Sequence, residues 1–253
     1  MNGKSYLFLL ICFLWLLIIN TAEAQSIFNK REGVSRVPDE RGVVLAVGGG
    51  LAAVRSDICG RPGCNRFGPN VRIGALYYFT NYLGISGGIG YLRLGATEGS
   101  PHRPLDVSFR SEVVEVTATV VINLLDSYAG SAGYRSLRKR FLVPYIRAGA
   151  GLVYYTPTSY PGQGKLNESQ TTYEPARRYP AIAAVIPFGG GLRFRINNEF
   201  SIAPELIYHI TTTDYLDNIG PAPGYPNRDD HYGIAVVNVL YTPVLRNRLF
   251  SRK

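Results

Sequence analysis

From Ser108 to Leu125 the chain alternates with a period of two, and the two faces differ sharply in polarity. Val114, Val116, Ala118, Val120, Ile122 and Leu124 share one face, while Glu115, Thr117, Thr119 and Asn123 share the other. Successive side chains of a strand point to opposite sides, so this stretch reads as a β-strand with one greasy and one polar side. The pattern recurs downstream. Ile146, Ala148, Ala150, Leu152 and Tyr154 oppose Arg147, Gly149 and Gly151. Phe188, Leu192, Phe194 and Ile196 oppose Arg193 and Arg195; Ile202, Leu206, Tyr208 and Ile210 oppose Glu205, His209 and Thr211. A soluble barrel would hide the greasy side and show the charges. An Arg or Lys facing lipid near the bilayer midplane costs about 2–4 kcal/mol, so in a membrane the charges must turn into a closed interior.

Eight segments rich in β-formers are expected: Val43–Arg55, Asn70–Thr80, Leu83–Ala96, Ser108–Leu125, Val143–Pro157, Ala181–Ile196, Ser201–Tyr215 and His231–Thr242. The third and eighth are ambiguous in their facing. The expected fold class is all-β, an eight-stranded antiparallel transmembrane β-barrel. Composition agrees, with 28 Gly, 18 Tyr and 11 Phe but 18% charged residues, against about 25% in soluble domains. Such abundance of Tyr, Phe and Gly suits lipid-facing strands with aromatic girdles. Thr80–Leu83 and Asn197–Phe200 read as tight turns, whereas Ser56–Pro69, Thr97–Val107, Thr158–Pro180 and Leu216–Asp230 are long links. Short periplasmic turns alternating with longer outer loops are usual for outer-membrane barrels. One connection breaks the alternation: Asp126–Arg140 is long, falls on the short-turn side and ends in a basic run.

The amino-terminal region supports export. Lys4 precedes the apolar run Tyr6–Ile19, and Ala22-Glu23-Ala24 precedes Gln25, the order of a secretory signal peptide. A spanning helix needs roughly 20 apolar residues, and Cys12 lies inside the run rather than after it, against a lipoprotein. The expected division is a cleaved signal peptide at 1–24, an N-terminal strap at 25–42, the barrel at 43–245 and a basic periplasmic tail at 246–253. After cleavage Cys59 and Cys64 remain, close together around Gly and Pro; outside the cytoplasm this reads as a loop-stapling disulfide. Zinc would need further ligands, and the three histidines are scattered. No cofactor or metal site is expected.

Net charge is +9, without a nucleic-acid motif, which points to anionic lipid headgroups or an acidic partner rather than nucleic acid. An eight-stranded lumen is narrow enough for side chains to fill. Arg72, Arg147, Arg193 and Arg195 are expected to pair there with Glu115 and Glu205, a plug that argues against an open channel and needs no small-molecule substrate.

Three stretches carry a resemblance. Leu105-Asp106-Val107-Ser108-Phe109-Arg110-Ser111 leads to Glu112 and Glu115, and Pro144-Tyr145-Ile146-Arg147-Ala148-Gly149 opens the fifth segment. Ile186-Pro187-Phe188-Gly189-Gly190-Gly191 precedes Pro204-Glu205-Leu206 and Thr213-Asp214-Tyr215-Leu216-Asp217. Their order, from about Val43 to Tyr241, resembles the PorG-like outer-membrane β-barrels of Bacteroidetes. The sequence departs from that family after Asp217, where Asn218-Ile219-Gly220 follows, and the cysteine pair is an individual feature. The resemblance implies a non-enzymatic component of the type IX secretion system that associates with a periplasmic ring formed by a lipoprotein and its partner. Arg135, Arg138, Lys139 and Arg140, with Arg246, Arg248, Arg252 and Lys253 of the tail, are candidates for docking that ring; anchoring to anionic headgroups is the competing reading. A general barrel acting through its outer loops, as an adhesin or structural protein, is the alternative. Pro175-Ala176-Arg177-Arg178 with Tyr173 and Tyr179 lies in the longest of those loops. A lipid-A-modifying hydrolase built on His209, Thr211 and Glu205 is a minor option, since residues two apart on a strand point the same way without their side chains meeting.

Overall fold

The computed structural model describes residues 42–59, 62–98, 106–131, 134–162, 164–167, 169–219 and 229–243. The expected signal peptide, nearly all of the expected strap and the expected tail with Arg246, Arg248, Arg252 and Lys253 lie outside the described residues.

The strands are β1 Gly42–Arg55, β2 Gly68–Tyr78, β3 Leu83–Thr97, β4 Val107–Asn123, β5 Tyr128–Ser131, β6 Tyr134–Lys139, β7 Leu142–Pro161, β8 Ala181–Arg195, β9 Phe200–Thr211 and β10 His231–Tyr241. Eight of them close into a barrel in the order β1-β10-β9-β8-β7-β4-β3-β2. Every neighbouring pair is antiparallel, and β1 closes the ring by pairing with both β2 and β10: Val47 lies opposite Ile73 on one side and Val239 on the other. The tight turns are built by short side chains. Asn197 Oδ1 accepts from the N–H groups of Glu199 (2.8 Å) and Phe200 (2.7 Å), an Asx turn. Thr80 Oγ1 does the same for Tyr82 and Leu83.

Two boundaries move relative to the sequence reading. β7 runs on to Pro161, while β9 stops at Thr211 and residues 212–219 leave the wall as a folded loop. The link Asp126–Arg140 is also not an irregular connection: β5 and β6 form a two-stranded sheet of their own.

The outer wall is a continuous apolar belt. On β4 the outward positions Val114, Val116, Val120 and Ile122 are all exposed, as are Leu124 just past its end and Ile146, Leu152 and Tyr154 on β7. From Val114 to Leu124 the wall spans roughly 34 Å along the strand, or about 26 Å along the membrane normal at a tilt of ~40°, the height of an outer-membrane barrel's apolar band. Tyr77, Phe79, Tyr82, Phe141, Phe200 and Tyr241 ring its lower edge, where the short turns lie.

The interior is not polar throughout. The half nearest the long loops is packed with Ala52, Val54, Leu92, Leu94, Phe109, Val113, Val153, Tyr155, Tyr232, Ile234 and Val236. A smaller apolar cluster of Val44, Leu76, Tyr78, Val121, Tyr145, Ala203 and Leu240 occupies the short-turn end. The buried Arg72, Glu115, Arg147, Glu205 and His209 are set among buried neutral polar groups such as Thr117, Thr119 and Asn238. The expectation of a polar inside therefore holds for part of the barrel. Above that part the loops fold over the mouth, and an apolar interior is the cheapest surface to bury beneath them.

Inward glycines let the strands approach this crowded interior. A Cβ added at Gly149 would lie 2.0 Å from the carbonyl oxygen of Ala118 and 2.6 Å from Thr119 Cα, both backbone atoms of β4. Gly149→Ala is expected to destabilise the barrel by about 1–3 kcal/mol through overpacking, read as a lowered urea midpoint for the heat-modifiable gel band. The outward Gly87, whose added Cβ meets nothing within 4 Å, is the matched control, and Gly87→Ala is expected to leave that midpoint nearly unchanged. Equal effects at the two positions would refute the argument.

Candidate functional site

Glu205 on β9 is the charged centre of the lumen. It accepts a hydrogen bond from the Tyr145 hydroxyl (2.5 Å) and one from Arg147 Nη1 (3.0 Å), and Arg72 Nη1 stands 4.0 Å from Oε2. Arg147 reaches on to Thr119 Oγ1 (2.7 Å) and Ser86 Oγ (3.5 Å). Two guanidinium groups from β2 and β7 thus converge on one carboxylate from β9. Register explains the meeting of Arg147 and Glu205: both flank the glycine stretch of β8, with Gly189 opposite Arg147 and Gly191 opposite Glu205. A side chain at Gly191 would come within 2.9 Å of Glu205 Cγ.

Glu115 belongs to a second cluster. Its Oε2 accepts from the Tyr232 hydroxyl (2.8 Å) and lies 3.4 Å from His209 Nε2, and the His209 ring stacks on Tyr232 at 4.4 Å. Arg193 and Arg195 occupy another level of the lumen. They lie nearer the short-turn end than Gly189 and Gly191, and the cross-lumen bridges to Glu205 come from Arg72 and Arg147. Arg193 stands over the rings of Tyr78 (4.7 Å) and Tyr145 (5.8 Å) and donates to Asn123 Oδ1 at 3.5 Å, while Arg195 is half-buried beside the turn to β9. The space left among Arg72, Tyr145, Arg147, Arg193 and Glu205 is about 30 Å³, room for a water or two.

The His209–Thr211–Glu205 constellation does not assemble. The nearest carboxylate to His209 is that of Glu115, and the Thr211 hydroxyl donates to the backbone carbonyls of Asp230 (2.5 Å) and Thr213 (3.3 Å). His209 is fully buried.

The long connections build a cap. Cys59 and Cys64 are joined in a disulfide with Cα atoms 5.6 Å apart. Beside them, the Asn65 amide grips both backbone groups of Val54 at 2.7 Å. Ile58, Cys59 and Leu216 sink into the upper apolar cluster, with Tyr179, Tyr215 and Ile219 packed against it. Asn218, whose positive φ of 64° an asparagine tolerates, ties the loops together. Its amide donates to Ser159 Oγ and its oxygen accepts from Ala176 N–H, each at 2.8 Å. Beneath it the carboxylate of Asp230 accepts from Leu216 N–H at 2.9 Å, and that of Asp217 from Ile219 N–H at 2.9 Å. Asp217 and Asp230 are almost wholly buried. Burial, and then the nearby charges of Asp214 and Asp57, push the Asp217 carboxyl up to about 7. The Asp230 carboxyl is raised in the same direction, by burial first and then by Asp217, Asp214 and Asp57. Sequence reasoning singled out neither as a site. Their only signal was the crowding of Asp214, Asp217, Asp229 and Asp230 into the link after β9.

The proposed docking residues Arg135, Arg138 and Lys139 fall on β6, with Arg140 directly after it. The Arg140 N–H donates to the Ser127 carbonyl and its Nε to that of Tyr128. The connection they occupy joins β4 to β7 on the side where the other links are tight turns.

Among solved structures, the chain is similar to Neisserial surface protein A at 11% identity, covering 79% of this chain and 97% of that one with a TM-score of 0.44. Similarity to the outer membrane protein OprG of Pseudomonas aeruginosa is 8% identity over 80% and 98%, TM-score 0.45; to the outer membrane enzyme PagL it is 15% over 79% and 99%, TM-score 0.36. No curated protein matches the sequence. The family model described as outer membrane protein beta-barrel domain matches residues 16–242, a range that takes in every strand of the closed ring. The chain belongs to the outer membrane protein beta-barrel domain family, and its place is the outer membrane.

Proposed function

We propose that this barrel is a non-enzymatic, PorG-like component of the type IX secretion system that docks a periplasmic ring of a lipoprotein and its partner. The observation that carries the reading is the filled lumen. Among the described residues, buried ion pairs, apolar clusters on either side and a loop cap fill the lumen. The buried His209 and the committed Thr211 hydroxyl give no support to a hydrolase. A barrel that neither conducts nor hydrolyses acts through its surfaces, and the β4–β7 connection is the feature that sets this one apart. It replaces a tight turn with a hairpin bearing Arg135, Arg138 and Lys139, followed by Arg140, a basic element suited to an acidic periplasmic partner.

The test is co-purification. Tagged wild-type protein drawn from native membranes is expected to bring the lipoprotein ring with it, and a variant with Arg135, Arg138, Lys139 and Arg140 all changed to Glu is expected to lose it. Retention of the ring by the charge-reversed protein refutes the docking role. A second reading, action through the outer loops, is favoured by the order of the cap, which leaves Tyr173, Arg177 and Arg178 exposed. Deletion of the encoding gene separates the two, because only the secretion role requires export to stop.

A further inference from the structure

The outer wall changes character abruptly at the loop end of β3 and β4. The last apolar row there runs across neighbouring strands through Val71, Tyr91, Val114 and Tyr154, register partners in sequence and all exposed to lipid. One outward position higher the row reads Arg93, Glu112 and Thr156, and one higher again Gly95, Arg110 and Thr158. Arg93 Nη2 and Arg110 Nη2 both turn to a single oxygen, Glu112 Oε1, at 3.5 and 2.7 Å. Two guanidinium forks are therefore gathered at one point with one carboxylate between them, and the group keeps a net positive charge. Their side chains remain 37% and 39% exposed, so donors are left for an incoming group. Gly95, the partner of Arg110 in register, is buried where the Arg66 N–H bonds its carbonyl: a Cβ there would lie 3.2 Å from the Phe109 carbonyl and 3.6 Å from Arg66 Cβ. Arg55, at the end of β1, is exposed at the same end of the barrel.

We infer that Arg93 and Arg110 form a binding site for the phosphate of an anionic lipid in the outer leaflet. Guanidinium groups match phosphate oxygens in paired, charge-assisted hydrogen bonds, which a point charge cannot reproduce. The site lies one position above Tyr91 and Val114, so a lipid whose phosphate reaches the arginines lays its acyl chains on the apolar row beneath. That placement selects a phosphorylated lipid over free phosphate. The long loops mark this end of the barrel as the outer-leaflet side. On β7, the next strand round the ring, the same two rows carry Thr156 and Thr158 in place of arginines.

The experiment uses the full mature chain purified in detergent and presented with diphosphorylated lipid A, with the same lipid stripped of its phosphates, or with inorganic phosphate, bound lipid being counted by native mass spectrometry. Wild type is expected to hold the diphosphorylated lipid roughly thirty-fold more tightly than an Arg93→Gln/Arg110→Gln variant, the combined effect of two basic residues at a headgroup surface. Lys165→Gln, an exposed basic change at the same end, is expected to bind like wild type. The phosphate-free lipid is expected to show no difference between the proteins, and inorganic phosphate at matched concentration is expected not to displace the lipid. Equal retention by wild type and the double variant, equal loss with Lys165→Gln, or displacement by free phosphate each overturns the assignment. Heat-modifiable mobility verifies folding of every variant, and the two single variants replace the double one if it does not fold, each then expected to weaken binding about five-fold.

Discussion

Glu205→Ala is expected to destabilise the folded barrel by about 3–5 kcal/mol, the cost of stranding a buried charge whose partner is removed. Glu205 is 7% exposed and is the carboxylate on which Arg72, Arg147 and the Tyr145 hydroxyl converge. Without it two guanidinium groups face each other inside a wall surrounded by lipid. Glu205→Gln keeps an acceptor for Tyr145 but not the charge, and its loss is expected to be smaller. Arg147→Met combined with Glu205→Leu removes the closer pair together and is expected to recover part of the stability, because a buried pair is worth little against well-packed apolar groups while Arg72 keeps its charge. Glu112→Ala is the contrast: its bridges to Arg93 and Arg110 are exposed, so at most about 1 kcal/mol is expected. The measurement is urea unfolding in lipid vesicles, followed by the heat-modifiable band. A Glu205→Ala midpoint no lower than that of Glu112→Ala would remove the lumen carboxylate from its central role.

The strands that the sequence displays most clearly are those whose two faces differ in polarity over their whole length. β4 and β7 are legible because Glu115, Thr117, Thr119 and Arg147 line the polar part of the lumen while valine, isoleucine and leucine meet lipid. β10 is ambiguous in sequence for a physical reason. Its inward residues Tyr232, Ile234, Val236 and Leu240 belong to the two apolar clusters, and its outward Val237, Val239 and Tyr241 face the membrane. With grease on both sides, alternation carries no sign. β3 meets the same difficulty at Leu92, Leu94 and Ala96, and its Gly84, Gly87, Gly88 and Gly90 carry no side chain to read. The β5–β6 hairpin is not legible in the sequence because strands of 4 and 6 residues give alternation too little length to register.

Period-two reasoning fixes which face a residue occupies and leaves its height in the barrel open. Arg147 and Arg193 share the inward face of their strands, yet one bridges to Glu205 and the other stacks on Tyr78 and Tyr145. Height depends on register around the ring, which requires every strand pairing to be known. The same limit hid the contact of His209 with Glu115, which crosses the lumen from β9 to β4. It also hid the burial of Asp217 and Asp230, because polar residues in a link ordinarily meet water. Their burial follows from Leu216 and Ile58 anchoring the loops in the upper apolar cluster, a tertiary event with no local signature.

Those two aspartates give the loop cap an expected pH dependence of definite sign. The Asp217 carboxyl is held at about 7 in the folded protein, against about 3.9 for an unperturbed aspartate. Between those values the folded state keeps a proton that the unfolded chain releases. Its stabilising contribution is fully present below about pH 4 and is lost as pH rises through 7, by roughly 1.4 kcal/mol per pH unit for one proton. Asp230 is raised too and acts in the same direction. Asp217→Asn retains an acceptor for the Ile219 N–H and carries no charge at any pH. The variant is expected to match wild type near pH 4.5 and to exceed it progressively up to pH 8, with the gap levelling off above 7. Tryptic cleavage after Arg177 or Arg178, which the Asn218 tie to Ala176 N–H holds in the folded cap, is expected to slow in the variant at pH 8. Subtracting the two unfolding curves cancels the titration of groups elsewhere in the barrel. A difference that is flat with pH, or that shrinks as pH rises, would show that the buried carboxyl does not hold its proton in the folded cap.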